Sequence, residues 1–231
     1  MFFQVRELCS GYGAIRIVMD VSFSVNRGEI CVILGRNGVG KTTLMKTMIG
    51  SLKTRSGEIS FDSRRLERMP LHARARLGIA YVPQGRGVFP SLTVEENLRM
   101  GEGIGSGKPP YDEIFAYFPW LRKRLRQKGG TLSGGEQSQL ALSRALVGNP
   151  RLVLLDEPSE GVQPNIVDEM GNVLARLNRE TGLTVILVEQ NIEYALRIAT
   201  TCRIMAKGRL VEEMGKDELS DMETMRRYLA I

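Results

Sequence analysis

The chain has 231 residues, a length that fits one large α/β domain or a main domain with a small insert and argues against two full domains. With 42% hydrophobic and 25% charged residues, the composition excludes wholesale disorder, a collagen-like repeat and a disulfide scaffold. The net charge of +6 fits an anionic ligand or surface, yet the basic clusters carry no interleaved aromatic residues, so we expect no nucleic-acid partner.

The N-terminal part of the chain predicts strands followed by a glycine-rich turn into a helix. Four runs rich in β-branched and aromatic residues are predicted strands: 3–8, 21–25, 29–34 and 57–61. We interpret them as antiparallel strands leading to a core strand, which ends at Leu34. A glycine-rich stretch follows, and then a helical spacing of apolar residues continues to Gly50.

The composition changes between residues 91 and 130 and predicts a helical insert. Thr93 and Glu96 have the spacing of a capping box, which predicts a helix start. The Gly- and Pro-rich segment 101–110 predicts a linker, and 111–128 predicts helices. These helices carry four aromatic residues: Phe115, Tyr117, Phe118 and Trp120. Either a surface for a partner or the packed interior of the insert explains them.

The remaining sequence alternates between helices and strands. Predicted helices cover 136–147, 164–178 and 191–199, and predicted strands cover 152–155 and 184–188. A hairpin over 203–206 and 209–213 precedes a C-terminal helix over 217–231. Because the strands are continuously apolar and alternate with helices, they predict a buried, mostly parallel sheet flanked by helices, an α/β fold.

A phosphate-binding loop is predicted between the core strand and the first helix. The stretch consists of Gly35, Arg36, Asn37, Gly38, Val39, Gly40, Lys41 and Thr42, followed by Thr43. Its glycines allow backbone N–H groups to point at phosphate oxygens, and the helix N-terminus adds a favourable dipole. Lys41 is predicted to reach the β and γ phosphates of a nucleotide, and the Thr42 hydroxyl to bind Mg²⁺.

Two carboxylates follow a buried strand downstream of this loop. Asp156 and Glu157 end the apolar run 152–155, which predicts that they lie at the same sheet edge as the loop. Asp156 is the expected Mg²⁺ ligand, and Glu157 is expected to polarise the water that attacks the γ phosphate.

A further helix start lies at Ser133, Gly134, Gly135, Glu136 and Gln137. Ser133 is the predicted N-cap and Glu136 its capping-box partner, and the two glycines leave backbone N–H groups open to an anion. With the phosphate loop before it and the carboxylates after it, LSGGEQ makes the chain resemble the ATPase subunit of an ATP-binding cassette (ABC) transporter. The resemblance covers nearly the whole chain.

The family resemblance implies a fold and a set of roles. It implies a single ABC ATPase domain over 1–231, with a nucleotide-binding core and antiparallel β subdomain in 1–90 and 131–216 and a helical insert in 91–130. Two such domains pair head to tail, so ATP lies between the phosphate loop of one and Ser133–Gln137 of the other. Tyr12 falls where an aromatic ring stacks on adenine, and Gln84 where a glutamine contacts Mg²⁺ and the attacking water.

Two positions depart from the usual family pattern. Gln190 stands where a histidine usually contacts the γ phosphate, and Gln163 where many relatives carry an aspartate. Gln190 still donates hydrogen bonds but carries no imidazolium charge. Both departures resemble one branch of the family, the ATPases of importers for branched-chain amino acids, amides and urea. Residues 160–164 and 228–231 look slightly more like the urea type.

The resemblance implies an ATPase, with ATP and Mg²⁺ as cofactors, that drives import of a small amino acid, amide or urea. The implied partners are a second ABC ATPase subunit, two integral membrane permeases and, indirectly, an extracytoplasmic solute-binding protein. The loop 85–90 with the aromatic residues of the insert is the expected permease contact. A soluble scaffold of the iron–sulfur assembly type is the alternative, although such relatives keep the histidine that Gln190 replaces.

The sequence also predicts where the chain resides. It has no apolar run of about 18 residues, and its N-terminus lacks the layout of a signal peptide, so we expect it to stay on the cytoplasmic side without spanning a membrane. The family resemblance implies that it is peripheral to the cytoplasmic face of the inner membrane. The cysteines are scattered singly, and Cys31 lies within an apolar strand, as a reduced core thiol does.

Overall fold

The computed structural model of the chain describes residues 1–103 and 107–215. The strands within them are β1 (Phe3–Ser10), β2 (Val18–Val25), β3 (Ile30–Leu34), β4 (Thr54–Phe61), β5 (Arg64–Arg65), β6 (Ile79–Val82), β7 (Leu152–Asp156), β8 (Thr184–Glu189), β9 (Thr201–Ala206) and β10 (Arg209–Gly215). The helices are α1 (Lys41–Ile49), α2 (Leu71–Arg76), α3 (Val94–Arg99), α4 (Tyr111–Tyr117), α5 (Pro119–Lys123), α6 (Gly134–Val147), α7 (Pro164–Thr181) and α8 (Ile192–Ile198).

The larger sheet has the strand order β10-β9-β3-β8-β7-β6 and is parallel except for β10. Strands β3, β7 and β8 are buried at every position, which explains why their sequences do not alternate and are apolar except for Thr184 and the last residues Asp156 and Glu189. In the register of these strands Leu34 lies opposite Glu189, and Asp156 lies opposite Val188. The carboxyl ends of β3, β7 and β8 therefore meet at one edge of the sheet, where ligands bind in open α/β sheets.

The smaller sheet is antiparallel, with the order β2-β1-β4-β5. It packs with α1 on one face of the larger sheet, where Cys31 and Ile33 of β3 join the same buried cluster as Leu44. The other face is covered by α6, α7, α8 and the helices of the insert, against which Val32 and Leu34 pack. Each residue of β3 thus contributes to one of two cores, and both faces of the sheet are excluded from water.

The insert is built on helices α3, α4 and α5. Thr93 and Glu96 form the predicted capping box of α3, with the Glu96 N–H donating to the Thr93 hydroxyl and the Thr93 N–H to the Glu96 carboxylate. Phe118 is fully buried in the main core, whereas Phe115, Tyr117 and Trp120 are half-buried and pack against it. Of the two explanations for these aromatic residues, the structure supports packing.

The predicted elements correspond to observed ones, with shifted ends. The last helix of the insert ends at Lys123 instead of 128, because the chain then turns so that the Gln127 carbonyl can accept a hydrogen bond from the Val94 N–H at the start of α3. Strands β5 and β6 and helix α2 were not predicted, since β5 and β6 have two and four residues and α2 lacks the side-chain N-cap that marks α3. The predicted C-terminal helix over 217–231 lies outside the described residues, as do positions 104–106 of the predicted linker.

Among the helices in the described ranges 1–103 and 107–215, none has the length and hydropathy that crossing a bilayer requires.

We predict that Phe118→Ala lowers the free energy of unfolding by about 3–5 kcal/mol, because it leaves a cavity in the main core. Phe89→Ala is the matched control, since Phe89 is 41% exposed, and it is expected to cost about 1 kcal/mol or less. Urea denaturation of the full chain measures both values. Equal, small losses would show that the insert aromatic residues do not form core.

Candidate active site

The loop between β3 and α1 has the backbone geometry that a phosphate cradle needs. Gly38 and Gly40 adopt φ values of 80° and 110°, which favour glycine, and Gly40 is the N-cap of α1. A Cβ on Gly35 would lie 2.7 Å from the Met205 carbonyl oxygen, so the loop start also requires glycine. The other residues predicted to contact nucleotide lie in this loop or in the first turn of α1: Arg36, Asn37, Val39 and Thr43.

The Lys41 ammonium group is buried within the loop. Its Nζ donates to the carbonyl oxygens of Gly35 at 2.7 Å and Arg36 at 2.9 Å. It also lies 3.0 Å from Glu157 Oε1, and both side chains of this pair are less than a tenth exposed. The phosphate loop and the second predicted carboxylate are therefore joined by a buried ion pair, in which each charge compensates the desolvation of the other.

Thr42, Gln84 and Asp156 bring three oxygen donors together, as predicted for a metal site. The Thr42 hydroxyl lies 3.0 Å from Asp156 Oδ1 and 3.4 Å from Gln84 Oε1. Tyr81 donates to Asp156 Oδ2 at 2.9 Å. Burial raises the pKa of Asp156, although the hydrogen bonds from Tyr81 and Thr42 act in the opposite direction.

This donor set fits magnesium. Hydroxyl, amide and carboxylate oxygens are hard ligands, and Mg²⁺ is usually held by one or two carboxylates together with substrate phosphates. Within residues 1–103 and 107–215, no group of three or more His, Cys, Asp or Glu side chains is arranged to hold a metal ion. An ion held by these three oxygens would have further coordination positions for phosphate oxygens.

Glu157 follows β7 directly and faces a cavity. Its backbone has a left-handed φ of 49°, and its N–H donates to the Val188 carbonyl at 3.0 Å, which holds this uncommon conformation. The cavity has a volume of about 290 Å³ and is lined by Asn37, Glu157, Ser159, Glu160, Glu189, Gln190 and Asn191. Glu157 and Gln190, predicted separately from the sequence, therefore share one cavity beside the phosphate loop.

Gln84 reaches a second acidic residue in this region. Its Nε2 donates to Glu160 Oε2 at 2.9 Å, while its Oε1 faces Thr42. The amide thus spans the predicted metal donors and the segment that follows Glu157. Glu160 had no assigned role in the sequence, because an acidic residue in a Gly- and Pro-rich loop has no distinctive pattern.

Two predicted contacts lie away from this cavity. The exposed Tyr12 lies on the loop after β1, and this loop reaches the phosphate loop at Ile17, whose Cγ2 would be 3.1 Å from a Cβ on Gly40. Ser133–Gln137 form the start of α6, with the predicted capping box, and contact Arg86, Arg124 and Gly129. None of the residues in this stretch lines the cavity at Glu157.

Sequence reasoning missed the role of Glu189 and Tyr81 in the site. Glu189 ends β8, and its side chain is buried although the strand is otherwise apolar. An acidic residue at the end of such a strand was a usable signal, because Asp156 ends β7 in the same way. Tyr81 gave no such signal. Its hydroxyl reaches Asp156 because β6 pairs with β7, and the sequence does not show which strands pair.

The chain is similar over nearly its whole length to ATP-binding proteins of transport systems. The ABC transporter family model matches residues 18–160. The high-affinity branched-chain amino acid transport ATP-binding protein BraG of Pseudomonas aeruginosa is 43% identical, over 94% of this chain and 95% of its own. The probable branched-chain amino acid transport ATP-binding protein LivF of Archaeoglobus fulgidus is 35% identical, over 96% and 95%. The lipopolysaccharide export system ATP-binding protein LptB of Escherichia coli is also 35% identical, over 97% and 95%.

Solved structures agree with the sequence relatives. A nucleotide-free ATP-binding cassette from an ABC transporter superposes with a TM-score of 0.84 at 25% identity, covering 99% of this chain and 98% of that one. The ADP conformation of the ATP-binding cassette MJ1267 gives a TM-score of 0.83 at 26% identity, covering 98% of both chains. The predicted cassette fold is thereby confirmed, and the chain belongs to the ABC transporter family as a nucleotide-binding ATPase.

Proposed function

We propose that this chain hydrolyses Mg-ATP at the interface with a second cassette and thereby energises the uptake of branched-chain amino acids through partner permeases. The observation that carries the proposal is the convergence of Lys41, Thr42, Asp156 and Glu157 at one sheet edge. None of the residues 133–137 lines the cavity at Glu157. We infer that a second subunit supplies its own helix start to this cavity.

The residues of the site divide the work on ATP. The loop N–H groups and Lys41 hold the phosphates, and the exposed Tyr12 is placed beside this loop to stack on adenine. Thr42, Asp156 and Gln84 hold Mg²⁺, which when bound neutralises charge on the β and γ phosphates. Glu157 orients and polarises the attacking water, and Gln190 donates a hydrogen bond to the γ phosphate.

A second cassette completes the site with its own Ser133–Gln137. In this chain Ser133 is exposed and Gly134 to Gln137 are half-buried, so the positive end of α6 is accessible. Its glycines present N–H groups without side chains in front of them, as the recognition of a phosphate requires. A second copy of this chain would donate this surface, and a related ATPase would donate the corresponding helix start of its own.

An apolar groove supports a permease contact. It lies where the proposed insert, 91–130, meets the rest of the domain, and it has a volume of about 190 Å³. Its apolar lining residues come from the end of α1, from α2 and β6, and from the C-terminal parts of α3 and α6 with the residues that follow them: Ile49, Leu71, Ala75, Ile79, Ala80, Met100, Ala145 and Pro150. Leu71 and Met100 are large exposed hydrophobic residues, which on a protein surface mark a site of interaction.

The predicted contact loop 85–90 adjoins this groove through Arg144. Arg144 lines the groove, donates to the Gly87 carbonyl at 2.8 Å and lies 5.1 Å from the centre of the Phe89 ring. We therefore place the short cytoplasmic helix of a permease in this groove, with Phe89 at its rim. The aromatic residues of the insert, which pack inward, have no part in this contact.

The solute is proposed from the named relatives. BraG and LivF are branched-chain amino acid transport proteins, and they align along nearly the whole chain. The urea-type leaning of residues 160–164 stays an alternative within the same kind of importer. The iron–sulfur scaffold alternative is not favoured, because these relatives are transport proteins. The chain then works at the cytoplasmic face of the plasma membrane, with a solute-binding protein outside.

We predict that Lys41→Ala lowers the affinity for Mg-ATP by about 10-fold to 100-fold, because a charged hydrogen-bond donor to phosphate is lost. Lys53→Ala, which removes an exposed lysine beyond α1, is the control and is expected to leave affinity unchanged. Equilibrium binding of a fluorescent ATP analogue measures both. Unchanged affinity in Lys41→Ala would refute the phosphate-loop assignment.

We predict that Glu157→Gln binds Mg-ATP normally but loses at least about 100-fold in turnover, since the amide does not polarise the attacking water. The variant is expected to accumulate as an ATP-closed dimer, which size-exclusion chromatography with light scattering detects. Glu113→Gln on the exposed face of α4 is the control. Near wild-type hydrolysis would remove Glu157 from this role.

The transport proposal is tested by purifying the tagged chain from gently solubilised native membranes with non-hydrolysable ATP. We expect two permeases and a second cassette, and the accompanying binding protein is then assayed with leucine, isoleucine, valine and urea. Met100→Glu is expected to abolish permease recovery, because it places a charge in the apolar groove.

Val211→Glu is the matched control, since Val211 on β10 is 48% exposed and Met100 is 52% exposed. It is expected to keep the permeases. Recovery of soluble partners alone from the wild-type chain would reject transport. Equal recovery with both variants would reject the groove as the permease site.

A further inference from the structure

Glu189 is a buried carboxylate whose two oxygens bind backbone groups on two segments of the active site. Its side chain is only 2% exposed. Oε1 accepts a hydrogen bond from the Ser159 N–H at 3.0 Å. Oε2 accepts from the N–H groups of Gln190 at 3.0 Å and Asn191 at 3.1 Å. One carboxylate therefore joins the segment after Glu157 to the segment that carries Gln190.

The backbone of Glu189 adds a third segment. Its carbonyl oxygen accepts from the N–H of Gly35 at 3.1 Å, at the first residue of the phosphate loop. In the sheet Glu189 lies opposite Leu34, so this contact extends the pairing of β3 with β8. The phosphate loop is thus attached to Glu189 through the main chain, and the other two segments through the side chain.

A carboxylate is chemically suited to this place. An ionised carboxylate only accepts hydrogen bonds and has about four lone-pair positions, so it can take three N–H groups at once. A glutamine would keep one acceptor oxygen, but its NH₂ group would face N–H donors. Burial raises the pKa of Glu189, and the three N–H donors act against that shift. The cost of burying the charge is therefore offset by hydrogen bonds at the site itself.

The contacts leave Gln190 fixed at its backbone and free at its side chain. Asn191 caps α8 through its own side chain, which accepts from the Tyr194 N–H at 3.1 Å, so the chain after Gln190 is anchored as well. Gln190 is exposed and lines the same cavity as Glu157. The backbone from which its side chain extends is consequently held by Glu189 on one side and by the α8 cap on the other.

We propose that Glu189 is a positioning residue for ATP hydrolysis, which holds Gln190 and the Ser159 segment at fixed distances from the Glu157 carboxylate. This rests on the proposed placement of the γ phosphate in the cavity between Glu157 and Gln190. A displacement of about 1 Å in such a site can cost about 100-fold in rate. Nucleotide binding is expected to be separate, because the Gly35 N–H of the phosphate loop binds the Glu189 carbonyl, which a side-chain substitution keeps.

The test is Glu189→Gln in the full-length ATPase with its partners, with kcat, KM and the Kd for Mg-ATP measured together. We expect kcat to fall by about 10-fold to 100-fold and Kd to change by no more than about twofold. Glu193→Gln makes the same change on the exposed side of α8 and is expected to behave as wild type. An unchanged kcat, or a fall in affinity and thermal stability that matches the fall in kcat, overturns the proposal.

Coupling to Gln190 separates positioning from a general structural role. If Glu189 acts through Gln190, the double variant with Gln190→Ala loses much less than the product of the two single losses. Fully multiplicative losses overturn the proposal. Should Glu189→Gln fail to fold, Glu189→Asp keeps the charge but shortens its reach by one methylene group, and the same two measurements apply.

Together, the Glu157→Gln and Glu189→Gln variants separate a failure of the Glu189 proposal from a failure of the proposed function. If Glu157→Gln abolishes hydrolysis while Glu189→Gln does not change it, only the positioning role of Glu189 is wrong. If Glu157→Gln retains hydrolysis, the placement of the γ phosphate fails and the role of Glu189 fails with it.

Discussion

The register of three parallel strands determines where the chemistry of this protein lies. Strands β3, β7 and β8 end at one edge of the larger sheet, and the residues that follow each end are Gly35, Glu157 and Gln190. Gly35, which precedes Glu157 by more than 100 residues in sequence, therefore shares one site with Glu157 and Gln190 through strand pairing alone. A slip of one residue between β7 and β8 would turn Asp156 away from Thr42, because side chains alternate between the faces of a sheet.

This arrangement requires charges to be buried, and the site compensates each one locally. Lys41 and Glu157 form an ion pair, Asp156 receives hydrogen bonds from Thr42 and Tyr81, and Glu189 receives three backbone N–H groups. Unpaired, each charge would cost several kcal/mol to bury. Because every compensating partner also belongs to the site, the interactions that stabilise the fold here are the ones that fix the geometry for hydrolysis.

The sequence was most informative where a residue type has a single use. The glycines before Lys41 and the carboxylates at 156–157 follow fully buried strands, so the site and the α/β fold could be predicted from local pattern. Short elements such as β6 could not, since four residues give no periodicity. The aromatic residues of the insert were ambiguous for a different reason. Whether Phe118 faces a core or a partner depends on which residues pack against it. The spacing of aromatic residues in the sequence does not identify those neighbours.

The chain from Gln84 to Phe89 connects the catalytic edge to the apolar groove. Gln84 faces Thr42 and Glu160, Arg86 donates to the Gly161 carbonyl at 3.1 Å, and Gly87 is bound by Arg144 at the groove. Arg86 Nη1 also lies 3.4 Å from Gln137 Oε1, at the helix start that a second subunit would use. The groove, the metal donors and the start of α6 are thus in contact with one short segment. A partner helix that shifts this segment would change both the proposed Mg²⁺ ligands of one site and the helix start proposed to complete the other. Such a change is the physical requirement for coupling transport to hydrolysis in a pair of cassettes.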